Sequence, residues 1–277
     1  MPNENLRTPL APVFYVDVHT HLTHDRFQGD RDLVIQEAID LGVKVIITNG
    51  LEPKSNDLAI ELSKKFPEVK AATGIYPSDA VNHLLPEDFH YPVHRFSVAD
   101  EIARIRGFAE AKLITAVGEC GLDGHHLDSS TFPEQEKVFL QLLEIAYDFD
   151  LPAIIHTRKL EKRAMEILEH HKLRKINFHC FCGKSKLALQ GAEKHGWFFS
   201  IPANARNSES FTKLLKELPF ERILTETDAP YLAPIRGERN EPKHVVGTVK
   251  YLAELRGIST EDAARQISQN LQVLLSK

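Results

Sequence analysis

Five short segments each put a metal-type ligand at the end of an apolar run. They are Asp17-Val18-His19-Thr20-His21, Gly118-Glu119-Cys120-Gly121, Ile155-His156, Phe178-His179 and Glu226-Thr227-Asp228. The run ahead of each reads as a β-strand, over 13–18, 114–117, 153–155, 175–178 and 223–225. Strand side chains alternate faces, so His19 and His21 point the same way. Four imidazoles and two carboxylates at the ends of parallel strands would make a pocket for two divalent metal ions. Such a pocket activates water, so a hydrolase is the leading expectation.

Each piece has a plainer reading beside the chemical one. His19 and His21 can bind one ion, or simply hydrogen-bond at a strand end. Asp17, two positions earlier on the same face, suits hydrogen bonding behind the ligands. Glu119 lies between glycines that permit close backbone approach, and its two oxygens can bridge two metals. A lone strand-end histidine is more often structural. Two of them, His156 and His179, in register with the other ligands, reverse that reading and would hold a second ion. Asp228 is placed to hold a metal, to take a proton from the attacking water, or to do both in turn. Pro230 follows at once, which argues against a helix-capping aspartate. Glu226, one step deeper, suits a supporting hydrogen-bonding role. Arg158, two residues past His156, is positioned to meet a phosphate or a carboxylate. Cys180 and Cys182 are not expected as ligands, because a zinc site normally draws on two separated pairs and no second pair exists. His83, His90, His94, His170, His171, His195 and His244 lie in polar surroundings and read as surface residues.

Elements must position these groups, and the chain supplies them in alternation. Strands are expected near 13–18, 43–48, 69–73, 114–118, 152–156, 175–179, 197–201 and 222–226. Helices are expected near 30–41, 54–66, 100–111, 134–149, 158–171, 184–195, 208–217, 244–256 and 260–275. Val138, Leu142, Ile145 and Phe149 recur at helical spacing behind Pro133. Gly42 and Gly196 are placed to stop their helices as left-handed caps. Eight strand–helix pairs match an α/β (β/α)8 TIM barrel, with a doubly wound open sheet as the alternative. The ligand pattern favours the barrel. All its strand C-termini face one mouth, whereas an open sheet would spread the ligands along an edge. A long loop is expected over 77–98, at the catalytic face.

Composition narrows the classes. The chain has 277 residues, 42% of them hydrophobic, which suits one large α/β domain. Residues 1–12 read as a polar N-terminal extension and 13–277 as a single hydrolase domain. A net charge of −5 supplies no global basic field, so any nucleic acid would be gripped locally. Three cysteines without a disulfide pattern suit a reducing cytoplasm. No stretch approaches a membrane span or a signal peptide, and no obligate protein partner is evident.

These segments, in this order, resemble the TatD family of metal-dependent hydrolases within the amidohydrolase-like superfamily. The matching text is Asp17-Val18-His19-Thr20-His21-Leu22, Gly118-Glu119-Cys120-Gly121-Leu122-Asp123, His156-Thr157-Arg158, His179-Cys180-Phe181, Glu226-Thr227-Asp228-Ala229-Pro230-Tyr231-Leu232-Ala233-Pro234 and Arg239-Asn240-Glu241-Pro242. The resemblance implies a distorted TIM barrel and a two-metal site that cleaves phosphodiesters at DNA or RNA ends. It implies His19, His21, Glu119 and Asp228 around one metal, and Glu119, His156 and His179 around the other. Glu119 and Asp228 would be the catalytic pair, and Mg, Mn and Zn are the candidate ions. Single-stranded or frayed nucleic-acid ends would be the substrate, with Tyr76, Arg158, Arg206, Arg236 and Arg239 as candidate contacts. Departures fall around the substrate. The family often reads Gly-X-His-Pro-His where this chain has Gly74-Ile75-Tyr76-Pro77-Ser78. Gly124-His125-His126 follows Asp123 where the family usually has an aromatic, and Cys182 stands where Ser or Thr is common. An ester, amide or lactone hydrolase is the second expectation, and a non-enzymatic metal-binding protein the third.

Overall fold

Strands form where β-branched and apolar residues run together, and here they are buried on both faces, as parallel strands require. The eight are β1 (Tyr15–Thr20), β2 (Val43–Asn49), β3 (Val69–Thr73), β4 (Ala116–Asp123), β5 (Ala153–Arg158), β6 (Ile176–His179), β7 (Phe198–Ile201) and β8 (Ile223–Thr225). A computed structural model describes residues 13–276, and the expected extension over 1–12 lies outside the described residues. The strands pair in parallel in chain order, β1 to β8. That order is a barrel and excludes the doubly wound alternative, whose strand order reverses at a switch point.

Hydrogen bonds from the end of β8 to β1 bring the barrel's two edges together. Thr225 Oγ1 donates to Val16 O at 2.7 Å, Asp228 N to His19 O at 2.9 Å, and His21 N to Ala229 O at 2.7 Å. The seam therefore runs through two of the segments that carry candidate ligands.

The helices are α1 (Arg31–Asp40), α2 (Pro53–Lys65), α3 (Pro77–Ala80), α4 (Val98–Glu110), α5 (Phe132–Asp148), α6 (Glu161–His170), α7 (Ser185–His195), α8 (Glu209–Glu217), α9 (Val245–Arg256) and α10 (Thr260–Leu275). In α5, Val138, Leu142 and Ile145 are buried, as their spacing required, and Phe149 caps the end. Gly196 closes α7 in the left-handed region at φ 72°. None of the described helices is long and apolar enough to cross a membrane.

The 77–98 segment is more ordered than a plain loop. It contains α3 and a 3-10 turn over Asn82–Leu84. Asn82 Nδ2 donates to Phe96 O at 3.1 Å, and Asp79 accepts from the His94 backbone N–H at 2.7 Å. Those bonds fold the segment back over the barrel mouth. His171, expected at the surface, is instead buried and bonded to Glu144.

Candidate metal centre

β1 runs two residues further than its apolar stretch, so His19 lies within the strand and His21 just past it. Both rings turn inward and are almost fully buried. His21 Nδ1 is 3.1 Å from Asn49 O at the end of β2, which aims Nε2 at the barrel axis. Asp17 accepts from Thr227 N at 2.9 Å, from Thr227 Oγ1 at 2.6 Å and from His19 N at 3.3 Å. It thereby ties β1 to the turn that carries Asp228. Asp228 Oδ1 lies 3.5 Å from His19 Nε2 and 3.3 Å from His21 Nε2.

Glu119 stands at the centre. β4 steps three residues where β5 steps two, between Val117/Ala153 and Cys120/Ile155, a bulge that redirects the side chains. The flanking glycines are needed for contact. A Cβ on Gly121 would sit 2.0 Å from His156 O, and one on Gly118 would sit 2.8 Å from Ile154. Glu119 Oε2 is 3.5 Å from His19 Nε2 and 3.3 Å from His21 Nε2. Its other oxygen, Oε1, is 2.8 Å from His156 Nδ1 and 2.9 Å from His179 Nε2. One carboxylate thus faces two separate imidazole pairs.

The expectations missed Asp123. Its Oδ2 lies 3.2 Å from His156 Nε2, while its Oδ1 accepts the backbone N–H groups of His125 and His126 at 2.6 and 2.8 Å. It orients His156 through the nitrogen that does not face Glu119. The signal was in the sequence: positions 119, 121 and 123 share a strand face if β4 continues past Gly118. Glu226 accepts the Cys180 N–H at 2.9 Å and the Ser200 hydroxyl, and lies 3.9 Å from His179 Nδ1. It holds the backbone beside His179. Cys180 is half-buried and Cys182 exposed, and Cys182 Sγ turns to Cys180 O at 3.2 Å.

The electrostatics follow from burying anions among imidazoles. Burial opposes charge on Glu119, but His179 and His156 outweigh it and hold the carboxyl well below its usual range. Burial likewise opposes charge on Asp228, and His19 and His21 pull it down. Burial would lower His21 and His156, yet Asp228 and Glu119 lift the first to about 10, and Asp123 and Glu119 lift the second to about 9. His179 goes the other way, to about 4, because burial and the stacked His19 ring 3.8 Å away both disfavour its charge. The pocket attracts cations.

Its donors fit metal ions. The four atoms His19 Nε2, His21 Nε2, Glu119 Oε2 and Asp228 Oδ1 are spaced 3.2–3.5 Å apart along five of their six edges. His19, His21 and Asp228 each offer a ligand atom within reach of one ion, a donor set of imidazole and carboxylate that zinc takes. Glu119 Oε1, His156 Nδ1 and His179 Nε2 form a second set with edges of 2.8, 2.9 and 3.3 Å. The Nδ1 atoms of His19 and His179 are buried with no hydrogen-bond partner, so the polar contacts of both rings lie at Nε2.

The candidate substrate residues divide. Tyr76 lies at the site, with its ring centroid 4.9 Å from that of His156. Arg158 is at the rim, with Nη1 3.0 Å from His126 Nε2. Arg236 is exposed beyond the turn after β8. Arg206 is paired with Glu254 of α9 and stacked on Tyr251, so it is not brought to the cluster. Arg239 is held by both Asp30 oxygens at 2.8 and 2.6 Å and covers Phe27, which makes it a latch onto the start of α1. Sequence reasoning also overlooked Tyr91, stacked on His126 at the same rim.

Comparison with known proteins gives one consistent picture. The TatD related DNase family profile matches residues 16–276. The chain is 31% identical to a putative deoxyribonuclease, tatdn3, of Danio rerio, over 95% of this chain and 97% of the relative. It is 32% identical to the 3′–5′ ssDNA/RNA exonuclease TatD of Escherichia coli K12, over 90% of this chain and 92% of the relative. Among solved structures it is similar to YJJV, a TatD homologue of Escherichia coli K12. That match has a TM-score of 0.81 at 23% identity, covering 94% of this chain and 97% of the other.

Proposed function

We propose that this chain, which belongs to the TatD family of metal-dependent hydrolases, is a two-metal phosphodiesterase that removes nucleotides from the 3′ ends of single-stranded DNA or RNA. The observation that carries this reading is Glu119, whose Oε2 faces His19 and His21 while its Oε1 faces His156 and His179. A carboxylate shared between two imidazole sets is what two adjacent divalent ions need in order to sit side by side.

When bound, such ions supply an activated water and a clamp for the charge that develops on the phosphoryl oxygens. His19, His21, Glu119 and Asp228 would hold one, and Glu119, His156 and His179 the other. Asp228 Oδ1 is turned to the two histidines. Its Oδ2 is left to accept the proton of the attacking water. Asp228 is also the most exposed of the acidic ligands, at 15%, which places it on the solvent side of the set. Asp123 keeps His156 oriented, and Asp17 keeps the Asp228 turn against β1. The polarity and the choice of single strands follow the Escherichia coli relative, whose name states both.

A single experiment tests the reading. The purified protein is stripped with a chelator, reloaded separately with Mg²⁺, Mn²⁺ or Zn²⁺, and given end-labelled single-stranded oligonucleotides. Bound metal is measured in parallel. Ladders that shorten from the 3′ end only after reloading are expected, with about two ions per chain at saturation. Cleavage that survives exhaustive chelation would sink the two-metal reading. Turnover of acyl esters or lactones in place of oligonucleotides would favour the second expectation.

A further inference from the structure

The rings at the barrel mouth form a row that leads away from Glu119. Tyr76 lies 4.9 Å from His156. Tyr91 comes next, 6.1 Å from Tyr76 with 26° between the planes. His126 follows, 4.0 Å from Tyr91 at 23°. Tyr91 arrives on the segment after β3 and His126 on the segment after β4, so two separate loops build one stack. Neither Tyr76 nor Tyr91 packs against either hydrophobic core cluster. Both Tyr91 and His126 are half-buried, so part of the stack stays open to solvent. Beside it, Arg158 reaches His126 Nε2 at 3.0 Å and is exposed. Among the described residues Arg158 pairs with no carboxylate, unlike Arg206 and Arg239. Core packing therefore does not account for the stack, nor a salt bridge for the guanidinium.

We propose that Tyr91 and His126 form a nucleobase-stacking shelf, with Arg158 on a neighbouring backbone phosphate, that seats the strand whose end lies at Glu119. The proposal rests on the nuclease reading above and names how that site holds its substrate. Every base presents a π-face, so stacking holds a strand regardless of sequence. Paired bases keep their faces covered by their neighbours, so the shelf selects unpaired ends. A net charge of −5 supplies no global basic field to do this work, and one stack with one guanidinium free of carboxylates is a local substitute.

The test is anisotropy with a labelled single-stranded phosphorothioate oligonucleotide, which resists cleavage, and with the same strand carrying abasic sugars at its 3′ end. Tyr91→Ala and His126→Ala should each weaken binding about ten-fold or more, whereas Tyr91→Phe keeps the ring and should stay within about two-fold of wild type. Removing the terminal bases should cost the wild type a similar factor and cost Tyr91→Ala little, because the stacking partner is already gone. Equal affinity of Tyr91→Ala and wild type overturns the shelf. So does an abasic penalty of the same size in both proteins. A metal-loaded wild type that neither binds nor cleaves any oligonucleotide overturns the nuclease reading itself, and the shelf with it.

Discussion

Glu119 can bridge because its two oxygens point at different partners, and the charge on them is what would hold two cations together. Glu119→Gln keeps the shape and removes that charge. Hydrolysis is expected to fall by about two or more orders of magnitude with the circular dichroism spectrum unchanged, since the barrel closes through its strands. Near-wild-type turnover at limiting metal would remove the bridging role. Tyr76 belongs to the same scale. Its hydroxyl is 3.5 Å from that of Tyr91, too long to occupy it fully, so it is free to donate to a substrate oxygen. Burial raises its pKa further above the phenol range, so it can donate but brings no charge. Tyr76→Phe should lower turnover a few-fold to about ten-fold, the worth of one neutral hydrogen bond. Tyr76→His should raise nuclease turnover with metal content unchanged. Identical kinetics for all three proteins on a short oligonucleotide would take Tyr76 out of the site. The candidate ligands could be read as residue types at strand ends; Asp123 was missed because β4 was expected to stop at Gly118 and in fact runs five residues further.

At the level of elements, the mouth is built by strand ends that are tied to the helices behind them. Asn56 of α2 is fully buried. Its side chain donates to Gly74 O at 2.9 Å and to Glu101 Oε1 of α4 at 2.7 Å, and accepts from Gly74 N at 3.1 Å. It fixes the turn from β3 into Tyr76. Asn56→Ala would leave the Gly74 groups and a buried carboxylate oxygen unpaired, at a cost of about 2–4 kcal/mol. The expected readout is a lower denaturation midpoint at unchanged m-value, together with weaker oligonucleotide binding. An unchanged midpoint would show that the turn holds without it. The helix positions were legible because helical periodicity and caps are local. The bulge in β4 and the folding back of 77–98 were not, since both depend on backbone contacts between segments distant in the chain.

For the whole molecule, net charge sets an expectation for how a nucleic-acid substrate would be gripped. A protein with net charge −5 and few unpaired arginines at the mouth should contact about two phosphates. The logarithm of the binding constant for a single strand should then fall with the logarithm of salt with a slope of about −1.4, and long duplex DNA should bind weakly. A slope several times steeper would mean an extended phosphate-binding surface. The barrel itself explains why the candidate ligands can be so few and so scattered along the chain. Parallel strands in a closed ring bring every C-terminal end to one rim, so β1, β4, β5, β6 and β8 meet although more than two hundred residues separate the first from the last.

The one-dimensional chain was sufficient for the element order, the fold class and the six candidate ligands, because periodicity, caps and strand-end residue types are written locally. It also carried the family resemblance that the comparisons bear out. Only the tertiary structure decided which arginines are free. Arg158, Arg206, Arg236 and Arg239 look alike in sequence, yet Glu254 takes Arg206 and Asp30 takes Arg239, from 48 and 209 positions away. It alone also stacked Tyr91 on His126 and turned the second nitrogen of His156 to Asp123. Those pairings are set by which distant surfaces the closed barrel presses together, and no local pattern encodes them.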